Sequence, residues 1–391
     1  MTAPTGPLCD VRVLDLTSVV MGPLATQILG DLGADVISVE DLAGDLSRSL
    51  GLGPHPQLSG VSLNLLRNKR NVSLDLKHPD GREAFLRLAE TADIIVTNLR
   101  PGPLARLGLT YYEVRARKPD IIYCQAQGWP TDSPDGQKPA YDDVIQAASG
   151  IADLFLRRNG EALLVPSIVA DKVSGLTIVY GVLAALHHRD RTGEGQRVEV
   201  PMVDAMRSFV LVEMGGGAMS VPPTGPAGYP RVLSPNRRPQ RTADGWIHVL
   251  PYSAQNYVDL FCEGGRPELA DDRIATAGSR GENADTLYCD VAAVLTGRTT
   301  ADWIELCERL DIPASRVATL DELIDELPTA EHPVTGTYHV IPSGVRLDAT
   351  PTSVRRHAPL VGEQSDEVLA EVGYSPDEVE AMRAAGAVRR R

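Results

Sequence analysis

Short apolar runs alternate with amphipathic stretches through the first two hundred residues, the cadence of strand–helix–strand units. Val11–Leu16 is a compact apolar run followed by a loop. Gly22-Pro23 opens a helix that carries Leu24, Ile28 and Leu29 as far as Gly33, and Ala34–Glu40 is a second strand. Such a unit is expected to be parallel and right-handed. Next, a basic turn at Asn68–Asn71 is predicted to feed a strand at Val72–Leu76. A helix over His78–Thr91, a strand over Asp93–Thr97, a helix through Leu104–Leu107 and a strand over Asp120–Gln125 follow. Pro139–Asp143 then leads into a helix carrying Val144, Ile145 and Ala148.

The stretch from Pro166 to Met206 has a different texture. Ile168–Ala170 reads as the end of an extended segment, and Asp171 as the residue at which a helix begins. Leu176–Leu186 is apolar almost all round, so that helix is expected to be buried. His187, His188 and Arg189 suit the negative end of its dipole. Thr192–Gly195 turns the chain into a strand over Gln196–Val200. Asp171 therefore has two readings: a helix cap accepting backbone N–H groups, or an ionised nucleophile held at a helix start.

Beyond Met206 a helix over Asp204–Met214 stops at three glycines, and Val221–Pro230 reads as a crossing linker rich in proline and glycine. A smaller, acidic domain follows, with strands at Gly245–Leu250 and Ala314–Ala318. Its helices are predicted at Tyr257–Cys262, Asn283–Leu295, Thr300–Leu310 and Asp321–Leu327. The tail closes with an amphipathic helix around Ser365–Val372, and the Arg389–Arg391 end is expected to be disordered.

Composition narrows the function classes. A chain of 391 residues exceeds one ordinary core, so two domains are expected. Net charge is −14, which argues against nucleic acid as partner. No uninterrupted apolar run is long enough to span a bilayer, and no secretory signal is visible, so the cytoplasm is the expected compartment. Five scattered cysteines without paired spacing make a disulfide framework or a metal site unexpected. The charge is uneven. Residues 64–118 hold eleven Lys/Arg against six Asp/Glu, whereas residues 260–331 hold six Arg against sixteen acids. A basic island on an acidic protein suits a small polyanion. Dinucleotide, Walker, nucleophile-elbow and zincin motifs are all absent from the sequence.

Several segments together resemble family III CoA transferases, the group that includes formyl-CoA transferase, carnitine CoA-transferase and the alpha-methylacyl-CoA racemases. These are VLDLTSVVMGP with LGDLGADVISVE, the Asn98–Gly102 run N-L-R-P-G after a strand, Asp171 with Gly175 four residues on, the turn and strand from Thr192 to Val200, and A-P-L-V-G-E near the C-terminus. The likeness runs from about Val11 to Met382. It implies an α/β fold: a Rossmann-like large domain with a parallel sheet (residues 1–205 and 332–391), a linker (206–230) and a smaller α/β domain (231–331), in an interlocked homodimer. It implies Asp171 as the nucleophile that becomes an aspartyl-CoA thioester while CoA moves between carboxylic acids, with Tyr141 beside it. It places CoA against Val20, Leu74, Lys77, Asn98, Leu99, Arg100, Arg106 and Lys138, with acyl-CoA as substrate, a carboxylic acid as acceptor, and no tightly bound cofactor, metal, nucleic acid or membrane partner. Two departures stand out. Formyl-CoA transferase has a glutamine near the position of Val20, and Arg237 and Arg238 occupy the place of its mobile glycine loop, where they are candidates for binding a substrate carboxylate. An acyl-CoA racemase of the same fold is the alternative, disfavoured because Tyr141 stands where racemases carry a histidine. A non-catalytic CoA-binding protein is a third reading.

Overall fold

The computed structural model describes Gly6–Arg390. Its centre is a six-stranded, all-parallel sheet made of β1 (Arg12–Leu16), β2 (Asp35–Glu40), β3 (Lys69–Ser73), β4 (Ile94–Thr97), β5 (Ile122–Gln127) and β6 (Arg197–Pro201). The order across the sheet is β3-β2-β1-β4-β5-β6. Strand order therefore reverses between β1 and β4, and α/β sheets open a ligand crevice at the carboxyl ends of the strands at such a point. Burial is near-continuous along β1 to β5, which suits the apolar runs of β1, β2 and β4 and places even the polar residues of β3 and β5 inside.

The chain divides into two compact units. The first comprises Met1–Gly150, Leu164–Phe209 and Leu327–Arg391; the second comprises Ile151–Leu163 and Val210–Glu326. The second unit thus takes in Ile151–Asn159, a helix that the sequence pattern does not announce, and the stretch expected to be a linker. It has a three-stranded antiparallel sheet (Gln240–Arg241, Trp246–Val249, Ala314–Arg316). Helices Ala254–Glu263, Ala284–Leu295 and Thr300–Arg309 pack around Trp303, Phe261 and Leu287.

Three expectations need correction. The supposed basic turn is strand: β3 begins at Lys69, and Arg67, Lys69 and Arg70 are all buried. The Lys69 ammonium donates to Asp15 Oδ2 at 2.9 Å, to Thr26 Oγ1 at 2.8 Å and to the Pro23 carbonyl at 3.0 Å. Arg67 pairs with Asp31 at 2.6 Å, and Arg70 with Asp35, Glu367 and Glu371. Much of the basic island therefore neutralises carboxylates inside the fold. Second, no extended segment precedes Asp171, because the long helix spans Val169–Thr192 and is only half buried, with Leu176 and Tyr180 well exposed. This helix is long and apolar enough to cross a membrane by length and composition, yet its Ser174, Gly175, Ile178 and Val182 face is buried against the first helix, Met21–Asp31, and the sheet. Third, the chain end is tied down at Arg389, which donates to the Leu42 carbonyl; Arg391 lies outside the described residues.

The tail also covers the β3 edge. Asn71 N–H donates to Gln364 Oε1, and Gly362 N–H to Asn71 Oδ1. Helices Ser365–Glu371 and Pro376–Ala385 then shield backbone that would otherwise offer a free edge.

Lys69 has no access to water, so removing it leaves the Asp15 carboxylate buried without its counter-charge. Lys69→Met is expected to cost ~3–5 kcal/mol of folding stability. The pair Asp15→Asn/Lys69→Met should recover part of that loss, as read from urea midpoints.

Candidate active site

Three strand ends at the switch point supply one cleft. The loop after β1 brings Ser18, Val19 and Met21, the loop after β4 brings Asn98, Leu99 and Arg100, and the loop after β5 brings Gln127 and Gly128. Lys138, Tyr141 and Asp171 complete a lined volume of about 320 Å³. Leu99 is also a wall of a neighbouring hollow of about 620 Å³ that holds Leu74, Lys77 and Arg48. Lys77 is shared in turn with an opening of about 410 Å³ that carries Arg82 and Arg106. The three spaces are neighbours that share lining residues.

Asp171 sits where the chain is most constrained. It is the third residue of its helix, whose N-cap is Ile168, so it does not cap its own helix. Gly175 lies one turn further on the same face. A Cβ at Gly175 would come within 2.8 Å of the Met21 carbonyl oxygen, so only glycine lets the long helix approach the start of the first helix this closely. That approach sets the Asp171 carboxylate on the Met21 N–H, a hydrogen bond that favours the anion. Burial is the larger effect, and the nearby Asp142 carboxylate adds to it. Together they raise the Asp171 pKa to about 7.

Asp142 is the residue that sequence reasoning missed. It is buried in the first turn of the Asp142–Ala148 helix and accepts the Asp171 N–H through Oδ1 at 2.9 Å. It therefore caps the long helix from outside, where Ile168 offers no side-chain acceptor. Gln146 holds the other oxygen, donating to Asp142 Oδ2 at 2.6 Å and accepting Val165 N–H at 2.9 Å. The Y-D-D run before an apolar helix is the sequence signal that marks Asp142. Tyr141 stands beside the cleft with an exposed ring, at the N-cap, and makes no side-chain cap.

The remaining candidates fall into distinct places. Leu99, Arg100 and Lys138 line the same cleft as Asp171, with Lys138 paired to Asp135 at 2.6 Å and Arg100 donating to the Gln137 carbonyl. Asn98 lines it too, but its amide is committed: Oδ1 accepts Ser18 N–H at 3.0 Å and Nδ2 donates to Ser18 O at 2.8 Å. Leu74 and Lys77 line the middle hollow, and Arg106 the outer opening with Lys77. Val20 is buried at the N-cap of the first helix, and its neighbour Val19 lines the cleft instead. Val19 holds φ +72°, a left-handed conformation rare for a β-branched residue and the kind of strain that collects at functional loops. Arg237 and Arg238 belong to the second unit, where the Arg237 carbonyl accepts from Arg158. Among the described residues no group of three or more His, Cys, Asp or Glu side chains is placed to hold a metal ion.

Known proteins resemble this chain along nearly all its length. A probable fatty acyl-CoA transferase of Mycobacterium tuberculosis is 31% identical over 94% of this chain and 98% of its own. A succinyl-CoA:mesaconate CoA-transferase of Haloarcula hispanica is 32% identical over 94% and 97% respectively. A formyl-CoA:oxalate CoA-transferase of Escherichia coli is 29% identical over 96% and 98%. The crystal structure of the mycobacterial protein superposes with a TM-score of 0.78 over 93% of this chain and 99% of that one. A CAIB/BAIF family protein from Brucella suis reaches 0.81 at 26% identity, over 94% of this chain and 100% of that one. Residues 8–365 match CoA-transferase family III, and the chain belongs to that family of CoA-transferring enzymes.

Proposed function

We propose that this enzyme moves CoA between two carboxylic acids through a thioester on Asp171. The observation that supports this most is a buried carboxylate on the wall of a cleft at the strand ends, with Lys77, Arg82 and Arg106 lining a nearby opening. That arrangement suits a long ligand with an acyl thioester at one end and phosphates at the other.

In the first step an Asp171 oxygen attacks the thioester carbonyl carbon, the C–S bond breaks, and CoA leaves as thiolate. The product is a mixed anhydride. The thiolate then attacks the Asp171 carboxyl carbon, and the anhydride C–O bond breaks to release the donor carboxylate. An acceptor carboxylate displaces CoA from the aspartyl thioester, and the thiolate attacks the new acyl carbon to restore Asp171. Covalent capture splits one difficult exchange into easier ones. The N–H at Asp171 is occupied by Asp142, so the donor best placed for a developing oxyanion on the carboxyl group is Met21 N–H. Tyr141 lines the cleft with an exposed ring, and its hydroxyl is suited to hydrogen bonding. The exposed apolar side chains of Leu176 and Tyr180 offer surface for a second copy, in keeping with a homodimer.

Incubation with acyl-CoA, followed by mass analysis of the Asp171 peptide, should show a CoA adduct. Asp171→Ala should abolish exchange while CoA affinity stays within about tenfold. Exchange of solvent deuterium into the alpha carbon without an adduct would instead indicate racemisation.

Because the attacking form is the anion, kcat/KM should rise with pH through about 7. Asp142→Asn removes a neighbouring negative charge, so that rise should move to lower pH; an unmoved profile would take Asp142 out of the tuning.

Stability carries the same signature with a definite sign. A carboxyl whose pKa is raised by folding stabilises fully below its unfolded value and loses that contribution as pH rises through about 7. Asp171→Asn should therefore match the parent near pH 4 and exceed it at pH 8, by at most ~3–4 kcal/mol. Urea titrations at the two pH values read the difference.

A further inference from the structure

The second unit has a cavity of its own, of about 330 Å³, walled by Tyr229, Tyr252, Tyr257 and Tyr288 with Arg231 and Arg280. All of these residues lie within Val210–Glu326. The stretch from 260 to 331 is strongly acidic, with sixteen acids against six arginines. Of the six arginines between residues 260 and 331, Arg266, Arg273, Arg298, Arg309 and Arg316 each pair with an aspartate or glutamate. Arg280 is the exception: its Nη1 donates to the Ile274 carbonyl, and it forms no ion pair among the described residues. Arg231 is in the same position. Its Nε donates to the Tyr288 hydroxyl at 2.9 Å, its guanidinium lies 5.0 Å from the Tyr252 ring centre, and it too forms no ion pair among the described residues.

Two guanidinium groups without counter-charges at one cavity, in an acid-rich stretch, call for an anion that the chain does not supply. The rest of the lining says what else that anion carries. Tyr257 and Tyr288 are buried, and burial pushes the Tyr257 phenol up to about 12, so its hydroxyl remains a donor. Pro251, Ala277 and Ala284 add apolar wall between the rings. Flat aromatic walls with a cationic end match a compact organic acid better than a bare inorganic anion.

We propose that this cavity binds a small carboxylic acid with an apolar or aromatic body, its carboxylate held by Arg231 and Arg280. The site is independent of Asp171, so it stands or falls apart from the transfer mechanism.

The test is calorimetric titration of the full-length protein, free of CoA, with benzoate, succinate and sulfate. Benzoate or succinate should bind the parent and the Asp171→Asn variant alike. Arg280→Gln and Arg231→Gln should each weaken that binding about tenfold or more, with circular dichroism unchanged. Arg280 is half-exposed, so its variant remains informative even where Arg231→Gln fails to fold. If the acid is an effector, added acid changes turnover of a different acceptor in the parent and not in the variant. Absence of binding by either acid at millimolar concentration, equal binding by Arg280→Gln, or sulfate binding as well as the organic acids would overturn the assignment.

Discussion

The contact between Gly175 and the backbone of Met21 decides where the Asp171 carboxylate can be. A helix without a side chain at that point settles against the start of another helix, and the residue one turn earlier is carried into a place that water scarcely reaches. The Met21 N–H then serves as a donor to it, and the Asp142 carboxylate acts on it as a neighbouring charge. Desolvation and repulsion push the carboxyl toward neutrality while one hydrogen bond pulls it back. The outcome is a carboxyl group poised near neutral pH, the kind of perturbed group that gathers at functional sites.

Internal charge pairs keep the strand ends in register around it. Asp15, near the end of β1, accepts from Lys69 of β3, from Thr26 of the first helix and from Thr17 of the loop that lines the cleft. Arg48 and Glu40 do similar work beside the middle hollow, at 2.7 Å and almost fully buried. Such pairs contribute modestly to net stability but are costly to break from one side. Their value here is geometric, since each ties a loop of the groove to a strand of the sheet.

Much of this was legible in the sequence. Apolar runs of five or six residues separated by helical patterns gave β1, β2, β4, β5 and β6 nearly in place, because a parallel sheet buried on both faces leaves little room for polar positions. Asp171 and Gly175 were legible as a pair four residues apart. What escaped were facts about partners. Charge counting made Arg67, Lys69 and Arg70 look available to a ligand, whereas carboxylates up to three hundred residues away neutralise them. The helix boundary at Asp171 was misplaced by two residues, and that was enough to hide Asp142 as the external cap. The family resemblance points to Val20, whereas the left-handed turn at Val19 puts Val19 on the cleft wall, a placement that no sequence pattern announces.

Asn98 carries a consequence for how the groove is understood. Both halves of its amide are spent on the main chain of Ser18, eighty residues earlier, so it works as a latch between two loops. Anything that releases it loosens the strained turn at Val19, part of the cleft wall that Asp171 also lines. Damage at position 98 would therefore look like poor substrate recognition while its origin was a loosened hinge of backbone.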